Sequence, residues 1–60
     1  MTVKVIKDTH DYVSGTIVNE GAILSRVSDY GKDQYSGVLH GYAVIVSMDD
    51  CAIVLEDLHE

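Results

Sequence analysis

Proline, phenylalanine and tryptophan are absent from this 60-residue chain, and cysteine occurs once, as Cys51. Without a second cysteine no internal disulfide can form, and one thiolate is too few for a structural zinc site. No run approaches the roughly 20 apolar residues that a membrane-spanning helix needs. The N-terminus, Met1-Thr2-Val3-Lys4, lacks the long apolar stretch and small-residue cleavage site of a secretory signal. Together these absences predict a cytoplasmic protein with no membrane segment. Basic residues are scarce too: four Lys and Arg stand against ten Asp and Glu, a net charge of −6. A chain so acidic is not expected to bind DNA or RNA directly, because phosphate contacts require Lys and Arg.

What is present suits one small globular domain over residues 1–60. Hydrophobic residues make up 47% of the chain, which separates it from disordered sequences. Sixty residues bury only about 60% of their unfolded surface. A core of Val, Ile, Leu and Ala without large apolar rings gains less per residue than an aromatic one. Homo-oligomerisation, to a dimer or higher, would remove further apolar surface from water and is therefore expected.

Alternation marks residues 2–7 as a first strand, with Val3 and Val5 on one face. Residues 8–12 are polar and read as a loop. A strand over residues 14–18, a turn at Asn19-Glu20-Gly21 and a return strand over 22–27 follow as a hairpin, with Gly21 supplying a positive φ. The apolar positions 23, 24 and 27 also fit a helical turn. Residues 29–34 form a loop, and 35–47 are dense in β-formers, with a bulge or bend plausible at Gly37 or Gly41. For the end of the chain two readings stand. Met48-Asp49-Asp50 either turns the chain so that residues 51–55 pair back as a strand, or it begins a helix capped by Ser47, with Met48, Cys51, Ala52, Leu55 and Leu58 as its stripe. The β-branched pair Ile53-Val54 favours the strand. The fold expected is mainly β, a small five-stranded barrel or curled antiparallel sheet, with α+β and a C-terminal helix from about residue 48 as the alternative.

This order of elements, with Tyr42-Ala43-Val44-Ile45-Val46 before a turn and the ending Val54-Leu55-Glu56-Asp57-Leu58, resembles small SH3-like β-barrels of bacteria and phages. The resemblance spans most of the chain and rests on pattern. It implies the barrel fold, with sheet edges hidden by closure. Polyproline recognition does not carry over, since no aromatic peptide groove is written in the sequence, and the basic pattern of ribosomal and transcription-factor versions is missing. Small acidic proteins of phages also inhibit host nucleic-acid-handling proteins, and by that likeness the chain would act in the cytoplasm of a bacterial host.

The charge is unevenly placed. Residues 1–32 hold four cations and four carboxylates, whereas residues 33–60 hold six carboxylates and no Lys or Arg. Asp49-Asp50 and Glu56-Asp57 flank the apolar run 51–55. They serve either as solubilising gatekeepers or as a patch that docks on a protein with a basic surface. Tyr30 and Tyr35 bracket a loop containing Lys32, where tyrosines act as interface anchors or cover the end of the fold. The partner-binding residues expected are thus Asp49, Asp50, Glu56, Asp57, Tyr30, Lys32 and Tyr35. The function expected is a non-enzymatic acidic protein-binding module, an inhibitor or regulator of a host protein carried by a phage or mobile element. Two alternatives remain: an oligomeric nucleotide-binding or sequestering protein, using Lys32, Arg26 or Lys4 on phosphates, and an accessory subunit of a larger assembly.

Signals for chemistry are weak. Cys51 lies in an apolar run, where a thiol is expected to pack as a small hydrophobe. His10, His40 and His59 share no metal-ligand spacing, and the carboxylates do not match a calcium loop. No glycine-rich phosphate loop is present. No cofactor, metal or catalytic residue is assigned; His40, between Leu39 and Gly41, marks a bend or an interface.

Overall fold

The computed structural model describes residues 1–54. Alternation carries the first strand, which ends two residues short of the expected 2–7: β1 (Thr2–Val5) turns Val3 and Val5 inward, both fully buried, and Lys4 to solvent. Two short strands, β2 (Thr9–His10) and β3 (Ile17–Val18), pair with each other as an arm. Then follow β4 (Ile23–Tyr30), β5 (Gln34–Leu39) and β6 (Tyr42–Ser47), an antiparallel meander. A single 3-10 turn at Met48–Asp50 leads to β7 (Cys51–Val54). The main sheet runs β6-β5-β4-β1-β7, so the protein is mainly β. Of the two β architectures expected it is the curled sheet: the ladder ends at β6 and β7 and does not close into a barrel.

The curl has a local cause in β4. Leu24 and Val27 are both buried although three residues apart, a spacing that regular alternation would place on opposite faces. The register moves from Ser25↔Val38 to Ser28↔Ser36, three residues on β4 against two on β5. Arg26, at φ 52, is the extra residue of this bulge and re-phases the strand so that both side chains point inward. Opposite them Gly37 leaves the necessary room, since a Cβ there would lie 2.9 Å from Val27 Cγ2 and 3.1 Å from Leu24 Cβ. The bulge therefore sits across from Gly37, on the neighbouring strand. The core comprises Val3, Val5, Val18, Leu24, Val27, Val44 and Val46, with Ala22, Tyr35, Leu39 and Cys51 packed around it.

Three pairings differ from expectation. Residues 17–18 pair with β2 and not across Gly21 with β4, because the polar stretch before Tyr12 holds its own short strand. Gly21 does take a positive φ, 96°, but it turns the chain from the arm into β4. Residues 29 and 30, expected in a loop, extend β4, and the hairpin loop shrinks to residues 31–33. At the end of the chain strand wins over helix. Ser47 Oγ accepts from the Asp49 N–H at 3.2 Å and caps only one 3-10 turn, after which β7 pairs with β1 rather than back on β6. Leu55 and Leu58 of the alternative helical stripe lie outside the described residues.

Candidate functional site

The arm is fastened to the sheet by one carboxylate and the backbone amide beside it. Asp11, only 5% exposed, follows β2 and meets the outer edge of β6. Its Oδ1 accepts from the Val13 N–H at 3.1 Å and from the Ile45 N–H at 3.0 Å. Its Oδ2 accepts from the Ser14 hydroxyl at 2.7 Å. Next to it the Tyr12 N–H donates to the Ile45 carbonyl at 2.8 Å. Both outward-facing backbone groups of Ile45 are thus satisfied as if by a neighbouring strand. The Ile45 amide, followed by the Ser14 hydroxyl, holds the Asp11 carboxyl below the usual carboxylate range.

With the arm held there, a groove of about 740 Å³ opens between it and the turn that joins β5 to β6. That turn, His40-Gly41, has φ 52 and 83, the doubly left-handed geometry of a two-residue hairpin. Apolar side chains dominate the lining, with Val13 and Ile17 from the arm and Leu39, Tyr42 and Ala43 from the sheet. Val13 is 76% exposed, Ile17 64% and Tyr42 72%. Asp11, His40 and Tyr42 are the titratable side chains along the groove, and Asp11 is committed to internal bonds. Lys4, Arg26 and Lys32, the phosphate ligands of the nucleotide-binding alternative, do not line it.

The residues singled out in the sequence are dispersed. Asp50, its side chain 15% exposed, accepts from the Thr9 hydroxyl and pairs with Lys7 Nζ at 3.4 Å. The Thr9 bond, more than Lys7, keeps its carboxyl below the ordinary value. Its neighbour Asp49 is exposed in the same 3-10 turn. Tyr30, half-exposed, stands opposite Gln34, whereas Tyr35 stands opposite Asp29 and packs on the core. The two rings therefore belong to opposite faces of the hairpin, with Lys32 exposed at its tip. Glu56 and Asp57 lie outside the described residues. His10 stacks on Tyr12 with centroids 4.9 Å apart. Cys51 is half-buried, and burial, then the Asp50 charge, pushes its thiol up. Among the described residues no three His, Cys, Asp or Glu side chains gather as metal ligands.

The groove residues escaped the sequence because Tyr42 read as one β-former among residues 35–47, and Val13 fell between the loop over 8–12 and the strand over 14–18. Asp11 left a trace: an Asp followed by Ser14 and Gly15 is the pattern of a side chain folding back on its own turn. No protein family, curated protein or solved structure matches the chain.

Proposed function

We propose that this chain is a non-enzymatic protein-binding module that docks an apolar projection of a basic partner into the groove between the arm and β6. The observation that carries this function is the exposure of Val13, Ile17 and Tyr42 around one concavity. Contiguous apolar surface at a groove marks a contact site, and of its polar side chains Asp11, Ser14 and Thr16 are already bonded internally. The partner's charge follows from the net −6 of the chain, with every cation in its first 32 residues. Long-range attraction then steers a basic surface toward the module, and burial at the groove retains it. A domain this small acts on its partner by covering it, as an inhibitor or regulator.

The test compares capture of partners by the unaltered chain and by the double variant Val13→Ser, Tyr42→Ser. Both side chains are exposed, so the variant keeps its melting temperature. Affinity for the captured partner should fall at least about tenfold, and binding by the unaltered chain should weaken as salt rises. Equal retention by the variant, or binding indifferent to salt, would refute the proposal.

A further inference from the structure

The groove is bounded by a strand edge that the arm seals at one residue and leaves open at the next. Both backbone groups of Ile45 point away from β5, to Asp11 and Tyr12, and by the two-residue period of β6 those of Ala43 point the same way. The hairpin gives the same phase. Its two-residue turn at His40-Gly41 makes Leu39↔Tyr42 a hydrogen-bonded pair and, two residues on, Gly37↔Val44 another, so Ala43 gives nothing to β5. Among the described residues no group bonds to the Ala43 N–H or C=O, and Ala43 is exposed and lines the groove. A donor and an acceptor set side by side on an edge call for extended backbone, because the interior of a helix has no free N–H or C=O to return.

We infer that the projection received by the groove is the free amino terminus of a partner chain, extended over its first three residues and apolar at the first and third. This ligand rests on the groove function proposed above and gives it a geometry. Paired antiparallel, as every neighbour in the main sheet is, the second residue exchanges two hydrogen bonds with Ala43. The first and third then stand opposite Val44 and Tyr42 and turn their side chains into the groove that Val13 and Ile17 line. Any residue before the first would lie opposite Ile45, a place already taken by Asp11 and Tyr12, so the segment has to begin there. Its ammonium is brought toward the Asp11 carboxylate, the only Asp, Glu, Lys or Arg side chain along the groove. A second copy of the chain does not fit. Its β6 carries an arm along the same side and would drive that arm into this one. Its β7, with Ile53 set opposite Ala43, would place Cys51 opposite Ile45. Its residues 1–3 are built into its own fold, with Val3 fully buried and the Met1 carbonyl bonded to the Val27 N–H.

The probe is the tripeptide valyl-lysyl-valine amide with a free amino end, titrated into the full chain and followed by amide chemical shifts and amide exchange. Binding should shift the Ala43 amide and slow its exchange. Methylating the peptide's lysyl backbone nitrogen, acetylating its amino end or adding two alanines before it should each weaken binding at least about tenfold, whereas two alanines after it should change little. Ala43→Pro should abolish binding and leave the chain folded, because the N–H it removes points away from β5. Val13→Ser, Tyr42→Ser should also weaken it. Binding that falls in that double variant but ignores methylation and Ala43→Pro overturns the inference and leaves the groove function standing. Binding that ignores the double variant overturns both. Equal affinity for the acetylated or amino-extended peptide, or no shift at about 10 mM peptide, overturns the inference. So does protection of the Ala43 amide in the free chain that grows with protein concentration, since that identifies a second copy as the occupant.

Discussion

The two edges of the sheet are treated in opposite ways. At β6 the backbone groups of Ile45 are sealed by the Asp11 carboxylate and the Tyr12 amide. At β7 the Asp50 carbonyl turns to the Ile6 N–H of the β1 side, so by alternation the groups of Ile53 face outward, with no partner among the described residues. A protein of 60 residues has little material for covering edges, and here one carboxylate and one backbone amide stand in for a strand. A short polar side chain can therefore decide which stretch of a small sheet's edge is available for pairing. The groove beside β6 exists because that edge is closed at Ile45: the arm that carries Asp11 forms one of its walls.

The largest effect is expected from removing the seal. Asp11→Ala leaves the Ile45 and Val13 amides and the Ser14 hydroxyl without their acceptor, at a cost of roughly 3 kcal/mol. That is a large share of what a domain this small possesses. Asp11→Asn retains one carbonyl oxygen and should lose about 1 kcal/mol. Denaturant midpoints of both variants check the order. Exchange at the Ile45 amide should become as fast in Asp11→Ala as at the Ile53 amide of the unaltered chain, making the two edges alike. A loss below about 0.5 kcal/mol would show that the arm is held by something other than this carboxylate.

Acid should reach the same end more gently. Asp11 and Asp50 both ionise below the ordinary carboxylate value of 3.8, each because it accepts hydrogen bonds in the folded chain. Above that value both are charged in the folded and unfolded chains, and their bonds contribute in full. As pH falls through it the unfolded chain takes up protons first, and stability declines until the folded carboxylates are protonated too. Denaturant midpoints measured from neutral pH downward should be level and then drop below about pH 4. Asp11→Asn combined with Asp50→Asn should flatten that drop. A decline centred near neutrality would show that these two carboxylates do not set the acid limit.

How much of this was legible in the sequence depended on whether neighbours or distant residues set the outcome. Val3 and Val5 alternate with Lys4, and alternation alone put them on one face, the one the structure buries. Ile23, Leu24 and Val27 read ambiguously as helix or strand because the bulge at Arg26 breaks the period of two, and nothing marks an arginine as left-handed. The pairing of β7 with β1 joins residues about fifty positions apart, beyond the reach of local patterning. Asp49 and Asp50 look alike in the sequence, yet one is exposed and the other is enclosed by Thr9 and Lys7. The acidic pair before β7 was visible from the start; that one member is exposed and the other enclosed was not.

The smallest effect expected lies at the β7 end and tests whether the Lys7–Asp50 ion pair seals anything. Lys7 and Asp50 are 3.4 Å apart, but the lysine side chain is 67% exposed, so water screens the attraction and the long side chain loses entropy in holding it. Lys7→Ala should cost less than about 0.5 kcal/mol and leave the Ile53 amide exchanging as before. Thr9→Val should cost more, on the order of 1 kcal/mol, because it removes a bond between a buried hydroxyl and a largely enclosed carboxylate. If Lys7→Ala proved the more damaging, the lysine would be the counterpart of Asp11 at the second edge. Its insensitivity would mean that β7 is anchored from the β1 side alone.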